Sequence, residues 1–206
     1  MRILFLILLL ACQCVFAAKP EFAPVTPGRP MQFPADYGAH SEFRTEWWYV
    51  TGWLKTEAGK PLGFQVTFFR SRTEHDTANP SAFAPHQLVI GHAALSDPAV
   101  GRLVHDERSA REGFGLAWAK TGDTDLKLDD WRMTRSNDGS YKVSVHSGEM
   151  TLDLTLAPTQ PVPVVIRDNG ERHFRLMRWG LLPSWVKDPR KFTLLINARS
   201  DSLLEK

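Results

Sequence analysis

The chain has 206 residues, 43% hydrophobic and 23% charged, with 14 Gly, 14 Pro, 7 Trp and a formal net charge of +2. This composition excludes intrinsic disorder and collagen-like repeats, and the length suits one domain, or one and a half, with a core of its own. Charge is uneven: residues 19 to 160 carry 15 Lys/Arg against 18 Asp/Glu, whereas residues 161 to 206 carry 9 against 5. Such asymmetry points to two modules, the second either facing an anionic partner or presenting a solvated basic face.

Met1 and Arg2 precede an apolar block from Ile3 to Leu10, and a run ending in small residues continues to Ala18. The block is too short to span a bilayer. Residues 1–18 therefore read as a secretory signal peptide cut after Ala17 or Ala18, with a buried N-terminal strand as the alternative. Both cysteines, Cys12 and Cys14, fall inside it. A chain cut after Ala18 has no thiol for a disulfide, a metal or a nucleophilic attack. Leu9-Leu10-Ala11-Cys12 also resembles a bacterial lipobox, in which Cys12 would carry a lipid anchor. Export would place the protein in the periplasm or outside the cell.

Residues 19–34 hold Pro20, Pro24, Pro27, Pro30 and Pro34, a spacing that forbids helix and suits an extended linker or edge strap. Period-two alternation then dominates. Phe64, Val66 and Phe68 alternate with polar or small neighbours, Tyr141, Val143 and Val145 with Lys142, Ser144 and His146, and Met150, Leu152, Leu154 and Leu156 with Thr151, Asp153 and Thr155. Turn chemistry occurs at Glu57 to Pro61, at Gly122-Asp123 and at Ser136 to Ser140, where Asp138-Gly139 supplies a positive φ. The pattern predicts strands near 46–54, 62–71, 87–96, 112–119, 125–134, 141–146 and 149–156. They form an antiparallel meander in a barrel or sandwich, with Phe64, Val66, Phe68, Leu152 and Leu154 inside.

Phe43 to Leu54 is the distinctive segment of this part, because Trp47, Trp48, Tyr49 and Trp53 crowd one strand. One face of such a strand either lines a ligand cavity or plugs the core. Glu46, desolvated beside Trp47, is a candidate general acid or else a strand-end carboxylate paired with Arg70 or Arg44. His40 and His92 are structural or site histidines, and no His-x-His or His-x-x-x-His spacing supports a metal. No cofactor is expected.

Phe33 to His40, Glu46-Trp47-Trp48-Tyr49, Gly63 to Arg70 and His92 to Asp97 together resemble the AttH-like, carotenoid 1,2-hydratase family of lipocalin-like proteins. The resemblance covers roughly residues 25 to 161. It implies a secreted or lipid-anchored bacterial protein of two lipocalin-like barrels, of which this chain holds the first. Residues 35–156 are then an antiparallel lipocalin-like half-barrel, in which Glu46, Trp47, Trp48, Tyr49 and His92 are the candidate face for a small hydrophobic ligand. The polar residues proposed for hydration belong to the family's second barrel, so none is carried over.

The tail carries different motifs. Val162 to Ile166, a turn at Asp168-Asn169-Gly170, Phe174 to Trp185 and Leu194 to Arg199 resemble the SRAP domain, the SOS response-associated peptidase fold. That family attaches covalently to abasic sites in single-stranded DNA during the response to DNA damage. Residues 157–206 would be an incomplete, truncated SRAP fragment of α+β type, with no reason to continue the barrel, so that Met177, Trp179 and Leu195 would stay exposed. Arg175, Arg178, Arg190, Lys191 and Arg199 could meet phosphates, and Trp179 and Trp185 offer stacking surfaces, unless they form a core pair with a basic rim. By motif match, Asn197 corresponds to the family's active-site Asn and Arg199 to a phosphate clamp.

Departures limit that reading. The family's nucleophile is a cysteine directly after the initiator Met, where this chain has Arg2, and its Glu and His would lie beyond Lys206. Leu156 to Pro161 fits both families' patterns at the point where one gives way to the other, as expected of two reading frames joined at a shared peptide. A whole SRAP function would instead place the protein in the cytoplasm.

Overall fold

The computed structural model describes residues 21–26 and 29–158, and beyond them the backbone of residues 164–166, 172–177, 179–181 and 193–199. Among the described residues there is no α-helix. A 3₁₀ turn over Ala35–Tyr37 precedes four long strands, β1 (Thr45–Lys55), β2 (Pro61–Arg72), β3 (Gln87–Ser96) and β4 (Leu103–Arg111). Five shorter ones follow: β5 (Ala117–Ala119), β6 (Asp125–Leu128), β7 (Trp131–Arg135), β8 (Tyr141–His146) and β9 (Thr151–Pro158). The tail adds β10 (Val164–Ile166), β11 (Arg172–Met177), β12 (Trp179–Leu181) and β13 (Thr193–Arg199).

The protein is mainly β and built as two antiparallel sheets. One runs β10-β11-β13-β1-β2-β3-β4 and the other β12-β9-β8-β7-β6-β5. Alternation places the core between them. Trp48, Val50, Phe64, Val66, Phe68 and Val89 come from the first sheet and meet Leu126, Leu128, Trp131, Met133, Val143, Val145 and Leu152 from the second, all buried. Phe64, Val66, Phe68, Leu152 and Leu154 lie inside, as their spacing required.

The first described residues, 21–26, act as a strap. The Ala23 amide donates to the Glu42 carbonyl at 2.9 Å, and the Phe22 ring lies between the guanidinium groups of Arg44 and Arg72, 5.5 and 5.6 Å away. The 3₁₀ turn then closes one end of the molecule. The Tyr37 carbonyl accepts from Trp48 Nε1 at 3.0 Å and from Thr124 Oγ1 at 2.9 Å, so one peptide group joins β1 to the segment that leads into β6. An added Cβ on Gly38 would stand 2.5 Å from the Gly122 nitrogen, which makes glycine the residue that lets the turn sit this close.

Four expectations are corrected. Strand β4 was missed, because its inward positions after Val104 include Asp106 and Arg108 rather than apolar residues. Arg108 lies 5.0 Å from the Trp131 ring, donates to the His146 carbonyl at 2.7 Å and bonds to Asp129 and Asp130, closing the side between the sheets with charge. The strand expected over 125–134 is two strands, turned by Asp129 at φ 58° without a glycine, and that expected over 112–119 shrinks to Ala117–Ala119.

The fourth correction concerns the tail. No α+β fragment is visible among the described residues, and the tail does not stand apart. Strand β13 pairs with β1 and β12 with β9, each antiparallel. The flank of a strand exposes N–H and C=O groups that need partners, and these segments supply them. Residues 1–18 with Cys12, the turn at 168–170, Arg178 and Trp185 lie outside the described residues, as do the side chains of Met177, Trp179 and Leu195.

Gly91 on β3 tests the closeness of the two sheets. A Cβ there would meet Leu128 Cδ2 at 2.8 Å and the Trp131 ring at 2.9 Å. Gly91→Ala should lose about 1–3 kcal/mol in urea denaturation. An unchanged midpoint would mean that the sheets are packed more loosely.

Candidate functional site

Successive residues of a strand face opposite sides, so β1 separates the residues of its aromatic segment. Glu46 and Trp48 are fully buried between the sheets, whereas Trp47 and Tyr49 lie half-buried on the outer face. His92, on β3, is half exposed on that same outer face. The five residues expected to form one ligand face are therefore divided, two inside and three outside.

Inside, Glu46 belongs to a buried charged cluster. It stands opposite Arg70 in the β1–β2 ladder, and Arg70 Nη2 lies 3.0 Å from Glu46 Oε2. Arg70 Nε donates to the same oxygen at 3.1 Å, Nη1 to Gln87 Oε1 at 2.9 Å and Nη2 to the His40 carbonyl at 2.9 Å. Glu46 also accepts from the His40 amide at 2.6 Å and meets His40 Nδ1 at 2.9 Å. The other ring nitrogen of His40 lies 2.9 Å from Asp36 Oδ1, and Asp36 accepts from the Gln32 amide.

Two carboxylates around an imidazole could move protons, but Asp36, Glu46 and Arg70 are exposed by only 2%, 0% and 1%, and of these four side chains His40 alone, at 11%, reaches solvent appreciably. Burial pushes the Arg70 guanidinium below its usual range, and Glu46 acts in the opposite direction. The cluster works as a lock that ties the segment before β1 to β2 and β3. Asp36 and Gln87 were not singled out in the sequence. The i, i+4 spacing of Asp36 and His40 was the available signal for the first, and nothing local marks the second.

The outer face of the first sheet is aromatic. Trp47, Phe69 and Ile90 form one row across β1, β2 and β3, and Tyr49, Thr67, His92 and Glu107 form the next. The Phe69 and His92 rings meet edge-on at 5.2 Å, and His92 Nε2 lies 3.9 Å from Glu107 Oε2. Beside them a shallow depression of about 260 Å³ is bounded by Gln65, His92, Leu103, His105 and Glu107. No group of three or more His, Cys, Asp or Glu among the described residues is arranged to hold a metal.

The positions expected to meet DNA are spread over both sheets. The backbone of Trp179 lies in the second, and those of Asn197 and Arg199 in the first. Arg199 stands opposite Glu46 in the β1–β13 ladder, and Asn197 falls where that register shifts, between the partners of Trp47 and Tyr49.

Comparison with known proteins gives two kinds of match. A family model described as AttH-like matches residues 24–175, past the shared peptide that ends at Pro161. A solved structure described as a putative AttH from Nitrosomonas europaea is 43% identical, with a TM-score of 0.72, over 88% of this chain and 59% of its own. Two curated proteins of Bacillus subtilis (strain 168), the abasic site processing proteins YoqW and YoaM, are 37% and 36% identical over 59 residues, which is 29% of this chain. The chain spans about a quarter of the length of these two relatives, 26% in each case.

The lock has a measurable strength. Arg70→Met leaves Glu46 buried without its guanidinium and should cost about 3–5 kcal/mol in urea denaturation, while the double variant with Glu46→Gln should recover part of that loss. Additive losses would show that the two side chains are not coupled.

Proposed function

This chain belongs to the AttH-like family, and on that premise we propose that it is an exported, lipocalin-like module that holds a small apolar ligand against the outer face of its first sheet. The observation that carries this reading is the division of β1. The space between the sheets is filled by Trp48, Phe68, Trp131 and Met133, all fully buried, whereas Trp47, Tyr49, Phe69, Ile90 and His92 lie in adjacent rows outside. Aromatic surface of that kind gives a ligand large contact area at little entropic cost. The leader-like residues 1–18 support export, and Cys12 in its lipobox-like setting would hold the module at a membrane.

The test uses Nile red as an apolar probe. Replacing Trp47 and Tyr49 together by Ser should weaken dye binding about tenfold or more, as expected for the loss of roughly 60 Å² of apolar contact. Equal dye binding by the two proteins would place the apolar site elsewhere and end this reading.

The similarity to YoqW and YoaM favours a second reading, an abasic-site protein that meets single-stranded DNA through its tail. Trp179 and Trp185 would stack on bases, Arg178 and Arg199 would hold phosphates, and Asn197 would face the opened sugar. The covalent step needs a thiol, and the two cysteines of the sequence, Cys12 and Cys14, both lie in the leader-like segment. On this reading the mature chain binds an abasic oligonucleotide weakly, loses it as salt rises, and leaves no denaturant-resistant shifted band. Such a band would show that a nucleophile other than these thiols is at work.

A further inference from the structure

The outer face of the second sheet differs in chemistry from that of the first. Its ladder sets Trp118, Lys127, Arg132, Ser144 and Asp153 in one row across β5 to β9. The next row holds Asp125, Thr134, Lys142 and Thr155, with Lys120 beside Asp125. Lys120, Lys127 and Arg132 all approach the Trp118 ring, at 5.2, 4.9 and 4.7 Å. Three cations on one indole repel each other, so their grouping needs negative charge close by.

Within the protein that charge is incomplete. Asp125 lies 2.8 Å from Lys120 Nζ and 3.4 Å from Arg132 Nη2, and Trp118 Nε1 donates to it at 3.0 Å. Partial burial pushes its carboxyl up, but these neighbours more than offset that and hold it below the usual carboxylate range. Lys127 Nζ donates to the Gly115 carbonyl at 2.6 Å, and Lys142 has no carboxylate partner among the described residues. Asp153 is turned to its own neighbours, accepting from Ser144 Oγ at 2.6 Å with His146 Nε2 at 3.6 Å.

Between these groups lies a depression of about 360 Å³, bounded by Arg132, Thr134, Lys142, Ser144, Asp153 and Thr155. We propose that this depression is an anion site, built for a phosphate-type oxyanion held between the guanidinium of Arg132 and the ammonium of Lys142. A tetrahedral oxyanion offers enough acceptors for both cations and for the Thr134 and Thr155 hydroxyls at once. The indole holds the Arg132 side chain in place beforehand, which lowers the cost of ordering it on binding. Asp153 bounds the far side and disfavours ligands with negative charge extending past Ser144. The phosphate belongs to a soluble phosphate compound or to a phospholipid headgroup.

The test titrates inorganic phosphate into the full chain by calorimetry and, in a second arm, sediments the chain with phosphatidylglycerol or phosphatidylcholine vesicles. Saturable phosphate binding is expected, weakened about tenfold by Lys142→Gln and by Arg132→Gln, restored by Lys142→Arg and unaffected by Lys55→Gln on the far sheet. Sedimentation with phosphatidylglycerol alone, lost in the same variants, would assign the site to a headgroup. Phosphate binding without sedimentation would assign it to a soluble compound. The proposal is overturned if neither phosphate nor vesicles bind, or if Lys142→Gln and Arg132→Gln bind like the unaltered chain.

Discussion

The pairing of Glu46 with Arg70 is the constraint on which the rest of the molecule depends. Both side chains are almost wholly removed from water, and among the described residues their bonds join His40 before β1, Gln87 at the start of β3, and each other across β1 and β2. A buried ion pair is seldom a large net source of stability, since desolvation consumes most of the attraction, but it permits only one arrangement of its neighbours. Here that arrangement brings the 3₁₀ turn over the end of the core, where the Tyr37 carbonyl receives Trp48 and Thr124. It also settles the facing of β1. With Glu46 inside, Trp48 must be inside, and Trp47 and Tyr49 must be outside.

Much of this was legible in residue order. Alternation located β2, β8 and β9 and named their buried residues, because each has one apolar and one polar face. It failed at β4, where Asp106 and Arg108 replace apolar residues on the inward face. It failed again at the β6–β7 turn, where Asp129 takes a positive φ that the sequence marks with no glycine. The pairing of Glu46 with Arg70 was one of two options the sequence offered. The part taken by Asp36 left only its i, i+4 spacing to His40 as a signal, and that of Gln87 left none, since a long-range hydrogen bond has no local period. For the tail, the motifs described sequence relationship, while strand pairing answered a different need, that of the unsatisfied edges of β1 and β9.

The two sheets consequently present different outer surfaces around one closed core. The first offers rings, the second cations and hydroxyls. The sequence relationships divide along the chain. The family match runs to residue 175, and the solved relative matches 88% of the chain, whereas the likeness to the abasic site proteins is confined to 59 residues.

The central claim is that the buried cluster fixes the segment before β1 as firmly as the core itself. Native-state hydrogen exchange of the His40 amide, which donates to Glu46 Oε2, measures this directly. The account predicts that this amide exchanges only by global unfolding, with the same free energy and denaturant dependence as the amides of Val66 and Phe68 in β2. Exchange of His40 through a local opening, while those two remain protected, would contradict it.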